Sequence, residues 1–521
     1  MEKEPLVLTL DFGTQSVRAL IFNKRGDTLA MKKIVYNPAY FSLKPGYCEQ
    51  HADYYWRNMC EVTKSLAQDY GYLLSKVKAC AITCFRDTAV FLDEKYQPIR
   101  PCILWCDQRM AECKKPLPLL HRFLFRLVGM SEAVRMNRRR TVYHWLEENE
   151  PETIQKTKHV MALSTYFIYQ LTGQAKDSAS SYTGHYPIDM KNGKWFHKSN
   201  LKYAIFNMPI AWFPTLVEPG TCIGEITEKS AEETGLPVGL KIYANGTDKG
   251  SETIGTGCLT KEMASISYGT ASTIEVSNPK YIEPEPFLPS YSACIPSLYN
   301  MEVQIYRGYW MVTWFKKEFA AEETKEAEIQ QMAVEEILNH KIMSIPPGSQ
   351  GLVLQPYWGP GLRRPEAKGA IVGFSDYHTK LHVYRAIIEG IAYGLREGLE
   401  GIEKRQHKKV KHLMVSGGGS QSDAICQITA DVFGLPVSRV QTFETASLGT
   451  AVCTFKACGE FASYEEAVKA MVHRSKTFYP NKEAHDQYDY LYNNVYEKMY
   501  KKLKNMYKNV RKFNRKYGKN V

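Results

Sequence analysis

The sequence predicts an α/β protein made of two related halves. Strand-like apolar runs alternate with amphipathic helical stretches along the whole chain. A strand, a Gly-Thr-x-Ser turn and a second strand occupy Leu6–Asn23, around Gly13, Thr14 and Ser16. The same order recurs at Met263–Val276, around Gly269, Thr270 and Ser272, about half a chain later. At 521 residues the chain is too long for one core, so two domains are the default and three are possible.

The periodicities place strands at 6–11, 17–23 and 28–36, a helix near 52–68, and strands at 77–83 and 88–93. Helical spacing covers 153–171 and stops at Gly173. Residues 195–225, rich in Trp, Phe and Pro, read as loop and short helix. After the second hairpin, a strand over 411–416 runs into Gly417, Gly418 and Gly419, and a helix with Gln427 and Asp431 departs. Glu444–Ala451 is a small-residue helix start that permits close packing. Residues 455–521 read as helices, with Tyr488, Tyr490, Tyr492 and Tyr496 packing the last one onto the body.

The first turn offers backbone N–H groups and hydroxyls to an anion, with Asp11 one step back. Such donors suit a phosphate, and the carboxylate suits its Mg²⁺. The triple glycine puts no bulky side chain at its turn, so a flat ring or a phosphate can approach the backbone. Its spacing is not G-x-G-x-x-G, which argues against a dinucleotide fold.

The shares of hydrophobic (44%) and charged (23%) residues are those of a soluble globular protein. The start Met-Glu-Lys-Glu-Pro runs straight into a strand without the regions of a signal peptide. No apolar run approaches the roughly 20 residues that span a bilayer. The 13 cysteines are scattered, without a C-x-x-C pair or zinc-like histidine spacing, and read as reduced structural thiols of a cytoplasmic protein. The formal charge of +12 is a local property. Ten cations, from Lys498 to Lys519, stand against the single acid Glu497, which leaves +3 for all the rest. The tail reads as a solvated helix end, with RNA or an anionic membrane as the alternative.

Taken in order, these pieces resemble the FGGY family of carbohydrate kinases. The resemblance runs from Leu6 to about Ala451. It is carried by the Asp11–Arg18 hairpin, Pro45–Gln50, Trp105-Cys-Asp107-Gln-Arg109, Leu171–Gly173, Ala244-Asn-Gly-Thr-Asp248, the Gly269-Thr270 turn, Gly369–Phe374 with Arg385–Gly390, and the Gly417 block. It implies two ribonuclease-H-like domains, as in actin, hexokinase and Hsp70, with ATP in a deep cleft between them and the sugar deeper, mainly on the first. The expected division is 1–255, 256–482, and a helix with the basic tail over 483–521.

The resemblance implies roles residue by residue. Asp248 matches the catalytic aspartate, which orients and deprotonates the attacking hydroxyl. Asp11, with Asp248, matches the Mg²⁺ site. Thr14, Gln15 and Arg18 match the first phosphate turn, and Gly269 and Thr270 the second. Gly308, Thr313, Gly417, Gly418 and Asp423 complete the expected ATP-binding set, the last two flanking adenine and ribose. Arg86, Asp87, Asp107, Asp248 and Lys249 are expected at the substrate. Arg86-Asp87 stands where glycerol kinases carry Arg-Glu; a guanidinium beside a carboxylate suits a polyol.

Three positions depart from the family pattern. Gln15 stands where a second hydroxyl is frequent, and Asp423 where Asn is frequent. Lys249 follows the catalytic aspartate where an uncharged residue is usual. It can depress the pKa of Asp248, bridge to Asp87, or bind a carboxylate on the substrate. The Met136–Trp145 stretch, with Arg138, Arg139 and Arg140, also differs in the region that shapes the sugar pocket. The expectation is an ATP-dependent kinase of a ketopentose. The alternatives are a polyol or sugar-acid kinase and, in another class, an actin- or Hsp70-like nucleotide switch. The expected partners are the small sugar or polyol and ATP, with a homodimer possible, and neither nucleic acid nor membrane.

Overall fold

The computed structural model describes residues 4–285, 288–359, 364 and 366–517, excepting the side chain of Arg515. The first three residues, Lys519 and the end of the expected 483–521 segment lie outside the described residues.

Two sheets organise the chain. The first contains β1 (Leu6–Phe12), β2 (Ser16–Phe22), β3 (Thr28–Val35), β4 (Val77–Cys84), β5 (Cys222–Glu225) and β6 (Lys241–Tyr243), in the order β3-β2-β1-β4-β6-β5. The second contains β7 (Met263–Tyr268), β8 (Ser272–Asn278), β9 (Tyr291–Ser292), β10 (Tyr299–Ile305), β11 (His412–Ser416), β12 (Val437–Val440) and β13 (Arg474–Phe478), in the order β9-β10-β8-β7-β11-β12-β13. Setting aside the short edge strand β9, the two share one topology. In each, two antiparallel steps lead to a central strand, two parallel steps follow, and an antiparallel edge closes the sheet. The repeated Gly-Thr-x-Ser turn is thus the first hairpin of each half.

β1 is buried on both faces, and only Thr9 and Asp11 on one of them are polar. Leu6, Leu8, Leu10 and Phe12 pack on Tyr55, Met59, Val62 and Leu66 of helix α1 (Ala52–Leu74). Val7, on the opposite face, packs with Ile254 and with Leu448, Ala451 and Val452. Four further helices of the first half matter here, α2 (Leu119–Leu127), α3 (Ser131–Arg140), α4 (Leu163–Thr172) and α5 (Asp248–Gly255), and from the second half α6 (Trp310–Phe319). The second half also supplies α7 (Lys380–Gln406), α8 (Asp423–Phe433), α9 (Thr445–Ala457) and α10 (Glu497–Tyr517).

α5 and α9 cross with almost no space between backbones. A Cβ on Gly255 would lie 1.9 Å from the carbonyl oxygen of Thr445, and one on Gly449 would lie 1.8 Å from that of Ser251. The small-residue helix start therefore joins the two halves, and the helix it meets begins at Asp248.

Four local expectations are corrected. Residues 455–521 are not all helix, because β13 (Arg474–Phe478) pairs with β12 within them. Residues 153–171 are not one helix: Pro151–Lys156 is helical, His159–Ala162 is a strand, and α4 follows. Pairing of that strand with Ala89–Leu92 in the interior overrides the helical spacing. Residues 195–225 contain, besides loop and short helices, Thr215–Val217, which pairs with Lys176–Ser178, and the edge strand β5. Tyr488, Tyr492 and Tyr496 are buried beside Tyr393 of α7, but Tyr490 is 66% exposed, because it faces away from that cluster.

Candidate functional site

The site forms where the C-terminal ends of the central strands of both sheets meet α5 and α9. Asp11 and Arg18 are cross-strand partners in the first hairpin. Asp11 is buried, and its Oδ2 accepts from Ser447 Oγ at 3.0 Å and from Arg18 Nη1 at 3.4 Å. Arg18 Nε lies 3.2 Å from Glu444. Both Ser447 and Glu444 belong to the start of α9, so the first hairpin is pinned to the second half. Burial pushes the Asp11 carboxyl above the ordinary aspartate range, against the pull of Arg18. Thr14 Oγ1 accepts from the Trp105 indole at 3.0 Å, and Gln15 is exposed at the tip.

The second hairpin turn is tied to the entrance of α6. The carbonyls of Gly269 and Thr270 accept from the amides of Tyr309 and Trp310 at 3.1 and 3.2 Å. Gly308 is obligatory in this clasp, since its Cβ would stand 2.1 Å from Ser272 Oγ. Thr313 is exposed on α6. Gly417 has a left-handed φ of 75°, and Gly418 faces open space, while Gly419 lies under the Tyr309 ring. Asp423, in the first turn of α8, is ion-paired with Lys476 and Arg439, which hold its carboxyl below the usual range.

Asp248 opens α5, one residue after the N-cap Thr247, whose side chain accepts from Gly250 N. It is half-buried. Burial raises its pKa to about 6, against the opposing charges of Lys249 and Arg86. Lys249 thus acts on Asp248 with the expected sign, but its other anticipated bond is not formed. Its Nζ donates to Glu252 at 2.8 Å and to Ser267 at 2.5 Å, and Asp87 is engaged elsewhere. Burial opposes the Lys249 charge, while Glu252 and Asp248 more than restore it.

Arg86 and Asp87 diverge instead of pairing with each other. Arg86 Nη2 donates to Glu302 on β10 at 2.7 Å, and the guanidinium sits 5.3 Å from the Tyr291 ring. Asp87 takes His185 on both oxygens: the backbone amide at 2.9 Å and the ring Nδ1 at 2.7 Å. Burial works against the Asp87 charge, but His185 and Arg86 keep its carboxyl below the ordinary value. Asp107 spends its oxygens on Cys48 N and on Arg109, while Arg109 also reaches Glu49 at 2.7 Å and lies on the rings of Tyr47 and Trp145.

Sequence reasoning missed Glu252, Glu275, Glu302, His185, Ser267 and Ser447. The β8–β10 pairing aligns Glu275 with Glu302, α9 brings Ser447 to Asp11, Asp87 holds His185, Ser267 on β7 meets Lys249, and Glu252 stands one helical turn from Lys249. Among the described residues no group of three His, Cys, Asp or Glu side chains forms a closed metal cage. The donor set nevertheless suits Mg²⁺. Asp11 and Asp248 are carboxylates whose burial is incompletely compensated, and Mg²⁺ is bound by one or two carboxylates plus phosphates and water.

Comparison with known proteins agrees with this geometry. Residues 6–255 match the model of the FGGY family of carbohydrate kinases, N-terminal domain, and residues 264–458 match that of its C-terminal domain. A xylulose kinase from Lactococcus lactis subsp. lactis is 27% identical over 494 residues, covering 93% of this chain and 95% of the relative. The crystal structure of a xylulose kinase from Rhodospirillum rubrum superposes with a TM-score of 0.80 at 23% identity, covering 96% of this chain and 99% of that one. A gluconate kinase from Lactobacillus acidophilus gives 0.79 at 19% identity, with 96% and 98% covered. With two sheets of one topology joined through α5 and α9, and both domain models matched in order, the chain belongs to the FGGY family of carbohydrate kinases, enzymes that transfer the ATP γ-phosphoryl group to a hydroxyl of a sugar or polyol.

Proposed function

We propose that this enzyme phosphorylates a neutral sugar, a ketopentose such as xylulose, with Asp248 as general base. The observation that carries the choice is the neutralisation of both cations beside Asp248. Arg86 is matched by Glu302 and Lys249 by Glu252, so neither charge is spare for a substrate carboxylate. Desolvating a sugar acid here would leave its charge uncompensated. The xylulose kinase relative supports the same substrate class.

In this reading Asp248 accepts the proton of the attacking hydroxyl. That oxygen forms a bond to the γ-phosphorus as the bond from phosphorus to the β,γ-bridging oxygen breaks, and ADP leaves. A carboxylate with a pKa of about 6 is ionised at neutral pH yet basic enough to share a proton in the transition state. Arg86 donates to, and Asp87 accepts from, sugar hydroxyls, while Asp107 and Arg109 brace the pocket wall. Thr14, Gln15 and Arg18 on one hairpin, and Gly269 and Thr270 on the other, bind phosphate oxygens. Gly308, Thr313, Gly417, Gly418 and Asp423 border the nucleoside. Asp11 and Asp248 would hold Mg²⁺, which neutralises phosphate charge when bound. Closing of the two halves excludes water, so the sugar hydroxyl is phosphorylated instead.

The test is ADP release with Mg-ATP over D- and L-xylulose, D- and L-ribulose, glycerol, erythritol, gluconate and a blank without sugar. A ketopentose giving the highest kcat/KM supports the reading. Preference for gluconate overturns it.

A further inference from the structure

Helix α10 carries a feature that phosphoryl transfer does not use. Its inner residues Met499, Leu503 and Tyr507 pack on the body, and Tyr507 donates to Gln355 Oε1 at 2.7 Å. A second apolar row, Met506, Val510, Phe513 and Tyr517, is exposed. At 100° per residue these four fall within about 60° of the helix circumference. Lys498, Lys502, Lys512 and Lys516 flank the row on the side away from the body, and all are exposed. Glu497 is the single acid of the helix.

A second helix repeats the pattern. α2 exposes Leu119, Leu120, Phe123 and Leu127, with Arg122 and Arg126 among them and no acid. α2 packs on α3, and Glu132 of α3 lies within electrostatic reach of Arg511 of α10. Both amphipathic helices thus border α3, although one belongs to each half of the chain.

We propose that α10, assisted by α2, is a peripheral docking surface for an anionic lipid bilayer. Charge complementarity selects this occupant. Basic flanks attract anionic headgroups, and the apolar rows enter the boundary between headgroups and acyl chains, with lysine stems reaching back to the phosphates. A second copy of this chain would set lysine flank against lysine flank. RNA would engage the cations and the aromatic rings but leave the aliphatic side chains of Met506, Val510, Leu119, Leu120 and Leu127 without a counterpart. A groove-shaped protein partner takes one helix, whereas here two helices present apolar rows. No described helix is long and apolar enough to cross a membrane, so the contact is superficial.

The experiment is flotation of the full chain with vesicles of phosphatidylcholine alone and of phosphatidylcholine with phosphatidylglycerol. Binding at least about tenfold stronger to the anionic vesicles, and weakened by salt, is expected. Met506→Glu/Phe513→Glu and Lys502→Glu/Lys512→Glu should each lose about tenfold of that binding at unchanged kinase turnover, which also certifies their fold. No preference for anionic vesicles, or preference untouched by either double variant, overturns the proposal. So does binding of a single-stranded RNA probe in the absence of vesicle binding.

Discussion

Glu302 stands directly opposite Glu275 across the antiparallel pair β10–β8, and both side chains are buried. Two carboxylates in that register cannot both ionise. Burial first, then the charge of Glu302, pushes Glu275 well above the ordinary carboxylate range, so Glu275 holds the proton. Glu302 accepts a hydrogen bond from Arg86 Nη2 at 2.7 Å, and Arg86 follows β4 of the other sheet. One residue expected at the sugar is thereby held by the opposite half of the enzyme.

Removing Glu302 should therefore damage more than one contact. Glu302→Ala leaves Arg86 partly buried without its partner, an arrangement that costs about 3–5 kcal/mol in buried pairs. A lowered urea midpoint together with a raised KM for sugar is expected. A normal KM in a folded variant would separate Arg86 from substrate binding.

Glu275→Gln tests the shared proton. A folded-state pKa above the unfolded value means that the stabilisation is present below the unfolded pKa, near 4.5, and lost as pH rises through the folded one. Gln keeps a neutral group that does not titrate. The variant should thus gain stability relative to the parent between pH 5 and 8, read by urea unfolding. A difference independent of pH contradicts a protonated Glu275.

The pH–rate profile reports Asp248 itself. The free enzyme needs the carboxylate, so kcat/KM should fall about tenfold per pH unit below an apparent pKa of about 6. Lys249 pulls that value down, and Lys249→Met should move the acid limb to higher pH. A limb that stays in place would assign it to another group.

The α5–α9 crossing makes a steric prediction. Gly449→Ala drives a methyl group into the Ser251 carbonyl. Overpacking of this kind costs about 1–3 kcal/mol. Because α5 begins at Asp248, turnover should fall along with the unfolding midpoint, whereas Gly401→Ala, in α7 with open space around it and no left-handed φ, should leave turnover near normal.

What the sequence reveals follows from which contacts are local. The two hairpins are legible because each confines strand, turn and strand to fewer than about 20 residues, and turn chemistry is local. Asp248 is legible because Gly246 and Thr247 mark the strand-to-helix turn that places it. Glu302 and His185 are not, since an isolated Glu or His carries no sign of the distant Arg86 or Asp87 it meets. The same limit hid the true state of Lys249: its pairing with Glu252 is helical spacing, but its bond to Ser267 needs β7 alongside. His159–Ala162 was obscured for the converse reason, a short apolar run fitting helix and strand alike until Ala89–Leu92 lies beside it.

The most direct measurement is turnover and ATP affinity of Asp248→Asn with the best sugar of the panel. The substitution keeps size and polarity but removes the base. The account predicts a loss of about 10²–10⁴-fold in kcat with ATP affinity changed by less than about threefold. Turnover equal to that of the parent enzyme would contradict Asp248 as the group that takes the proton.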